Sequence, residues 1–160
     1  MHIPIWRTLI GGFLSTILLT VLAFSGPVLN LPQLDYPSMF GAAFTGEFAT
    51  PLGGAWWVGL ISHFILGAIV FPLIFTQFLY SYFPGAPWAR GLSWGLALWL
   101  LSQVVLMPIM ELGLFFSMTS KPLSYALAGF IGHAVYGIVL GAVAGAGEVS
   151  GAPVRRERHA

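Results

Sequence analysis

The sequence contains no cysteine, which removes disulfides, thiolate zinc sites and cysteine-ligated iron–sulfur clusters from consideration. Charge is nearly as scarce. Only 7% of the 160 residues are Asp, Glu, Lys or Arg, where a soluble domain carries about 25%. So few charges cannot cover the surface of a water-soluble fold of this size. The net charge is +1 and the one basic cluster is the short run Arg155, Arg156 and Arg158, so a nucleic-acid interface has no footing. There is no nucleophile elbow, glycine-rich phosphate loop or zinc-protease helix motif. Acids inside the apolar stretches, which mark pumps and secondary transporters, are missing too. With no catalytic constellation, the chain is expected not to be an enzyme.

What is abundant is apolar. Hydrophobic residues make up 58% of the chain and the mean hydropathy is +0.88. Four apolar stretches, about residues 4–24, 54–79, 88–110 and 122–146, are separated by loops rich in Pro, Gly and charge. Each is long enough at 1.5 Å per residue to cross a hydrocarbon core of roughly 30 Å. The expected fold is therefore all-α. It is a bundle of four transmembrane helices within residues 1–149, followed by a basic tail, 150–160. Pro72 and Pro108 fall near the ends of the second and third spans, where they are best tolerated. The first stretch has some marks of a signal peptide, with Arg7 before it and Ala23-Phe24-Ser25 after it. Its apolar run exceeds the roughly 7–15 residues of such a segment, and it is read as a span.

Arginine sets the expected orientation. Four spans put Arg7, Arg90, Arg155, Arg156 and Arg158 on one side, against Lys121 alone on the other. The positive-inside rule then places both termini in the cytoplasm, in the inner (cytoplasmic) membrane of the cell. Trp56, Trp57 and Trp88 fall at span entrances, as an aromatic belt requires.

The most specific pattern is an internal repeat. The second span contains Gly59-Leu60-Ile61-Ser62-His63-Phe64-Ile65-Leu66-Gly67, and the fourth contains Gly129-Phe130-Ile131-Gly132-His133-Ala134-Val135-Tyr136-Gly137. Both read Gly-x-Ile-small-His-x-(β-branched)-x-Gly. The first and third spans match more loosely, Arg7-Thr8-Leu9 with Gly12 against Arg90-Gly91-Leu92 with Gly95. Two helices per unit give the copies the same topology, so a pseudo-two-fold axis along the membrane normal is expected. Residues four apart share a helix face. Gly59, His63 and Gly67 thus form one stripe, and Gly129, His133, Gly137, Gly141 and Gly145 a longer one. Small residues at this spacing let backbones approach closely. Gly59, Gly67, Gly129, Gly137 and Gly141 are therefore packing candidates, and the second and fourth spans are expected to meet near the axis with both histidines between them. Gly12, Ser15, Thr16, Gly91, Gly95 and Gln103 are nearby small or polar partners.

An ionisable group about 15 Å deep in a span is a candidate functional residue. In hydrocarbon each imidazole is expected neutral, with one donor and one acceptor nitrogen. His63 and His133 have three readings. They can form interhelical hydrogen bonds of about 0.6–2 kcal/mol each that set the register of the bundle. They can ligate one b-type haem between them, the glycines leaving room for a porphyrin face; its propionates would then find only Lys121 nearby. They can also line a metal, quinone or lipid pocket, a metal needing Glu47 or Glu111 recruited to it. On the first reading there is no cofactor. Glu111 reads as an interfacial carboxylate, with proton relay or partner docking as the alternative. Tyr136, one turn from His133, reads as a core tyrosine able to hydrogen-bond in the bundle. The semi-apolar loop 27–53 is expected to fold back onto the membrane surface or onto another subunit.

The two His-x-x-x-Gly stretches, Arg90-Gly91-Leu92-Ser93-Trp94-Gly95 and Met107-Pro108-Ile109-Met110 together resemble a family of small four-helix membrane proteins of unknown function from bacteria and haloarchaea. The resemblance covers nearly the whole chain. It implies the four-span topology, assigns no catalytic residue, and carries the hint that some members are encoded near respiratory-oxidase genes. The function expected is an accessory, non-catalytic integral membrane subunit of a larger complex, respiratory or otherwise electron-transferring. Its partners would be membrane lipid and other membrane subunits. The alternatives are a bis-histidine cytochrome and a small transporter or quinone- or lipid-binding module.

Overall fold

A computed structural model describes residues 3–46 and 49–149; Glu47 and the basic tail 150–160 lie outside the described residues. Those residues form helices and no strand. Four helices are long and apolar enough to cross a membrane: α1 (Ile5–Phe24), α3 (Gly54–Tyr82), α4 (Pro87–Ile109) and α5 (Pro122–Ala144). Between α1 and α3 lies a fifth, short helix, α2 (Tyr36–Thr45). Pro87 and Pro122 open α4 and α5, the one place in a helix where a missing N–H costs nothing. Hydroxyls on the spans satisfy themselves one turn back: Thr16 Oγ1 donates to Gly12 O (2.8 Å), Thr20 Oγ1 to Thr16 O (2.7 Å) and Ser62 Oγ to Val58 O (2.8 Å). Such bonds let polar side chains enter an apolar medium at little cost.

The two ends of the bundle differ. One carries the beginning of α1, the α3–α4 turn and the end of α5, and is called the termini end. The other, the loop end, carries α2 and the α4–α5 connection. The α4–α5 interface is built on glycine. Gly91 and Gly95 face Gly137 and Gly141 so closely that a Cβ on any of them would strike backbone of the other helix. This is small-xxx-small packing, with dispersion between backbones replacing a hydrophobic driving force that lipid does not supply. Helix α5 also packs along α1, where Gly11 meets Leu140 and Val143. Helix α1 in turn packs on α3. There Gly67 abuts Thr16, Gly12 abuts the Ala68 carbonyl and Pro72, and the Thr8 and Thr76 hydroxyls share a hydrogen bond of 2.9 Å.

The expected meeting of the second and fourth spans does not occur. Helices α3 and α5 make no extended contact; one hydrogen bond, from Tyr136 Oη to Gly67 O at 2.7 Å, reaches across. The reason lies in what covers the α3 glycine stripe. Gly59 sits against Pro37 O and Gly41 N of α2, and Gly67 against Thr16 of α1, so neither glycine's open side faces the α5 backbone. The described part of the segment 27–53 packs on the bundle itself. It turns through a 3-10 segment, Gly26–Leu29, and docks α2 on the loop end of α3.

Asp35 starts that helix. Its carboxylate accepts from Ser38 N (3.0 Å), Ser38 Oγ (2.8 Å) and Trp56 Nε1 (3.2 Å). It is an N-cap that also ties α2 to the first turn of α3. Gly46, with φ +77°, closes α2 by donating its N–H to Ala42 O, a left-handed C-cap.

A strict two-fold would match the α1–α5 interface with an equal one between α3 and α4. It is absent. Helices α3 and α4 meet at the termini end, where the Phe75 and Trp94 rings stack (5.7 Å, 9°), and part toward the loop end, leaving a cavity.

Candidate functional site: a cavity between the second and third spans

Both walls of the cavity depart from the α-helix. Pro72 has no N–H to offer the Ala68 carbonyl, and its ring would collide with that oxygen. The preceding turn, Ile65–Val70, widens to a π-helix, in which Phe71 N–H bonds Leu66 O, five residues back. Pro108 stands in the same relation to the π-helical turn Ser102–Leu106, where Met107 N–H bonds Ser102 O. Single π turns recur at functional sites because the extra residue re-aims side chains. Here they bring Leu66 and Gly67 of α3, and Ser102, Gln103 and Leu106 of α4, onto the cavity wall. Helix α5 supplies Gly129, His133 and Tyr136, α2 supplies Tyr36, Met39 and Phe40, and α1 supplies Leu19. Phe116, 3% exposed, also lines the cavity, in a turn where both Phe115 (φ 51°) and Phe116 (φ 60°) take left-handed backbone. Strain of this kind persists only where surrounding packing imposes it. The cavity volume is ≈ 80 Å³.

The cavity is apolar except for a few groups. His63 stacks under Tyr36 (5.2 Å between ring centroids, 16°), while His133 stands perpendicular to the same phenol ring at 6.5 Å. Tyr36 thus joins the two repeat histidines, which make no hydrogen bond to each other. His63 Nε2 lies 3.0 Å from Thr20 Oγ1 on α1. His133 Nδ1 donates to Gly129 O at 2.8 Å, within its own helix. Gln103, 1% exposed, donates from Nε2 to Ser102 Oγ at 3.0 Å. Two polar atoms here are buried without a hydrogen-bond partner: Tyr36 Oη and Gln103 Oε1. Burial holds the Tyr36 phenol above its ordinary range, so it stays an uncharged hydroxyl.

The five glycines singled out from the sequence have different neighbours. Gly137 and Gly141 meet α4, Gly67 meets α1, and Gly59 meets α2. Gly129 meets no backbone; a Cβ there would touch the Trp99 ring at 3.6 Å and Gln103 Nε2 at 3.9 Å, ordinary contact beside the cavity. The Tyr36 ring covers the face of His63, and His63 Nε2 is engaged by Thr20. Among the described residues no three His, Asp or Glu side chains cluster as metal ligands would. Glu111 is exposed at the end of α4, with φ 59°, outside the cavity lining. Tyr36 is the site residue that sequence reasoning missed. Its signal was present as Asp35-Tyr36-Pro37-Ser38, a capping residue with proline in the following turn, which marks a helix start where a loop was read.

No curated protein and no solved structure matches this chain. One family model does, over residues 3–150. The chain is a multi-pass membrane protein that belongs to DUF6789, a family of unknown function.

Proposed function

We propose that this protein binds a neutral, lipid-soluble small molecule in the cavity between α3 and α4, entering from the bilayer. One observation carries the reading. In an otherwise apolar chamber, Tyr36 Oη and Gln103 Oε1 are buried with no partner. An unmet buried hydrogen-bonding group costs about 1–3 kcal/mol, and a ligand that meets it recovers that cost. The arrangement is that of a binding site, an apolar chamber with a few convergent polar groups; no catalytic step is assigned to it. The arginine distribution supports both termini lying in the cytoplasm and residence in the inner membrane.

The test is mass spectrometry of small molecules retained by protein extracted from native membranes. A discrete compound, lost in Gly129→Leu, is expected, since that side chain projects where contact is loose and reduces the chamber. Wild-type protein that retains nothing beyond bulk lipid would overturn the proposal.

A second reading, an accessory subunit of a respiratory or other electron-transfer complex, draws on a different feature. Val28 (84% exposed), Leu52 (69%), Phe44 (66%) and Met118 (77%) form apolar surface at the loop end, outside the spans. Such surface suits another membrane subunit or the lipid headgroup boundary. Migration as a discrete monomer after mild extraction from native membranes would count against it.

A further inference from the structure

The hydrogen bonds around the cavity determine which groups can still donate and which can only accept, and so set the polarity of the ligand; this inference rests on the binding proposal above. Ser102 Oγ lies 2.7 Å from Trp99 O, a carbonyl that can only accept. The hydroxyl proton is therefore committed there, and Ser102 can only accept from Gln103. That sets the amide: its NH₂ faces Ser102, and the buried, unpartnered atom is the carbonyl oxygen Oε1. The same logic holds at His133. Gly129 O can only accept, so Nδ1 carries the proton, and in an uncharged ring Nε2 is left as an acceptor. At His63, Thr20 has already committed its proton to Thr16 O at 2.7 Å. Nε2 of His63 must then be the donor to Thr20, which leaves Nδ1 as a third acceptor. Against these three stand two groups able to donate, Tyr36 Oη and the second N–H of the Gln103 amide.

We infer that the cavity is built for a ligand that donates hydrogen bonds, a neutral aromatic diol of the hydroquinone class in preference to the quinone that shares its shape. A quinone, which has only acceptor oxygens, can use at most the two donors and leaves all three acceptors unmet. A hydroquinone offers two O–H donors, and its hydroxyl oxygens still accept from Tyr36. The walls favour a flat ring: Tyr36, Phe40, Phe71 and Phe116 line the chamber, and no charged side chain among the described residues does.

The experiment uses full-length protein in lipid nanodiscs under anaerobic conditions, titrated calorimetrically against empty nanodiscs. The ligands are a short-chain hydroquinone, its oxidised quinone, its dimethyl ether and a short-chain diacylglycerol. The hydroquinone is expected to bind at least about tenfold more tightly than the quinone or the ether, as loss of one or two hydrogen bonds dictates. Gln103→Leu, which removes the unmet acceptor, should weaken the hydroquinone about tenfold; if that variant fails to fold, the wild-type series decides by itself. Equal or tighter binding of the quinone overturns the inference while leaving the binding proposal standing. Diacylglycerol binding as tightly as the hydroquinone overturns the aromatic-diol assignment. If none of the four binds, the inference fails; if native extracts also hold no discrete compound, the binding proposal fails with it.

Discussion

Replacing Tyr36 by phenylalanine should stabilise the ligand-free protein, although the residue stands at the centre of the site. Tyr36 is 7% exposed and its hydroxyl has no partner. A buried unmet hydroxyl costs about 1–3 kcal/mol. Part of that is relieved by local adjustment, so a gain of about 1 kcal/mol is expected. The ring is retained, and with it the stacking on His63 at 5.2 Å. Tyr36→Ala tests the other half of the residue. It removes the aromatic surface that joins α2 to both histidines, and should cost about 3 kcal/mol or more, as for other buried aromatics truncated to alanine. The assay is reversible unfolding of ligand-free protein in mixed micelles, with denaturing detergent as the variable and tryptophan fluorescence and circular dichroism as readouts. The two substitutions should shift the midpoint in opposite directions. Should Tyr36→Phe instead lose 1 kcal/mol or more, the hydroxyl has a protein partner. The polarity argument for the cavity would then lose its hydroxyl donor.

Four further outcomes follow from the geometry. Gly137→Ala places a methyl on the Gly91 carbonyl, 3.0 Å from Gly95 Cα, and should cost about 1–3 kcal/mol by overpacking. Gly129→Ala, on the same helix face, should stay within about 0.5 kcal/mol, and the same unfolding titration compares them. Tyr136→Phe strips the bond to Gly67 O and should cost about 0.6–1.7 kcal/mol, the measured range for hydrogen bonds between membrane helices; no change would mean that water or lipid replaces it. Asp35→Ala should cost about 1 kcal/mol through the lost cap. Faster amide exchange confined to residues 36–45 would register it, whereas exchange spreading through α3 would show that the cap supports the bundle itself. Because the chain has no cysteine, Ser120→Cys and Ser81→Cys give clean single thiols at exposed positions of opposite ends. A membrane-impermeant thiol reagent added to intact cells should label the first and not the second, and the reverse would invert the assigned orientation.

The sequence by itself determined the medium and the number of crossings, because hydropathy summed over some twenty residues is a property of the local chain alone. The scarcity of charge and the four apolar runs needed no knowledge of packing. The glycine periodicity likewise identified which helix faces are smooth enough for close approach. It could not name the partner, since a groove of hydrogens accepts any backbone that reaches it. Gly137 and Gly141 took α4, Gly67 took α1, and Gly59 took α2, a helix hidden in what read as a loop. Two equivalent histidines were legible as a pair, but their environments were not. Their inequivalence follows from the α3–α4 interface being open where α1–α5 is closed, and tertiary contacts summed over the whole bundle decide which of two pseudo-equivalent interfaces opens. Gln103 was legible as a polar residue on the third span. Its place on the cavity wall depends on the π turn before Pro108, a register shift that a uniform helical period does not contain. The acceptor-rich character of the site is the furthest from the sequence. It depends on where Ser102, Thr20 and Gly129 send or receive single protons, and those choices exist only once the helices are in place.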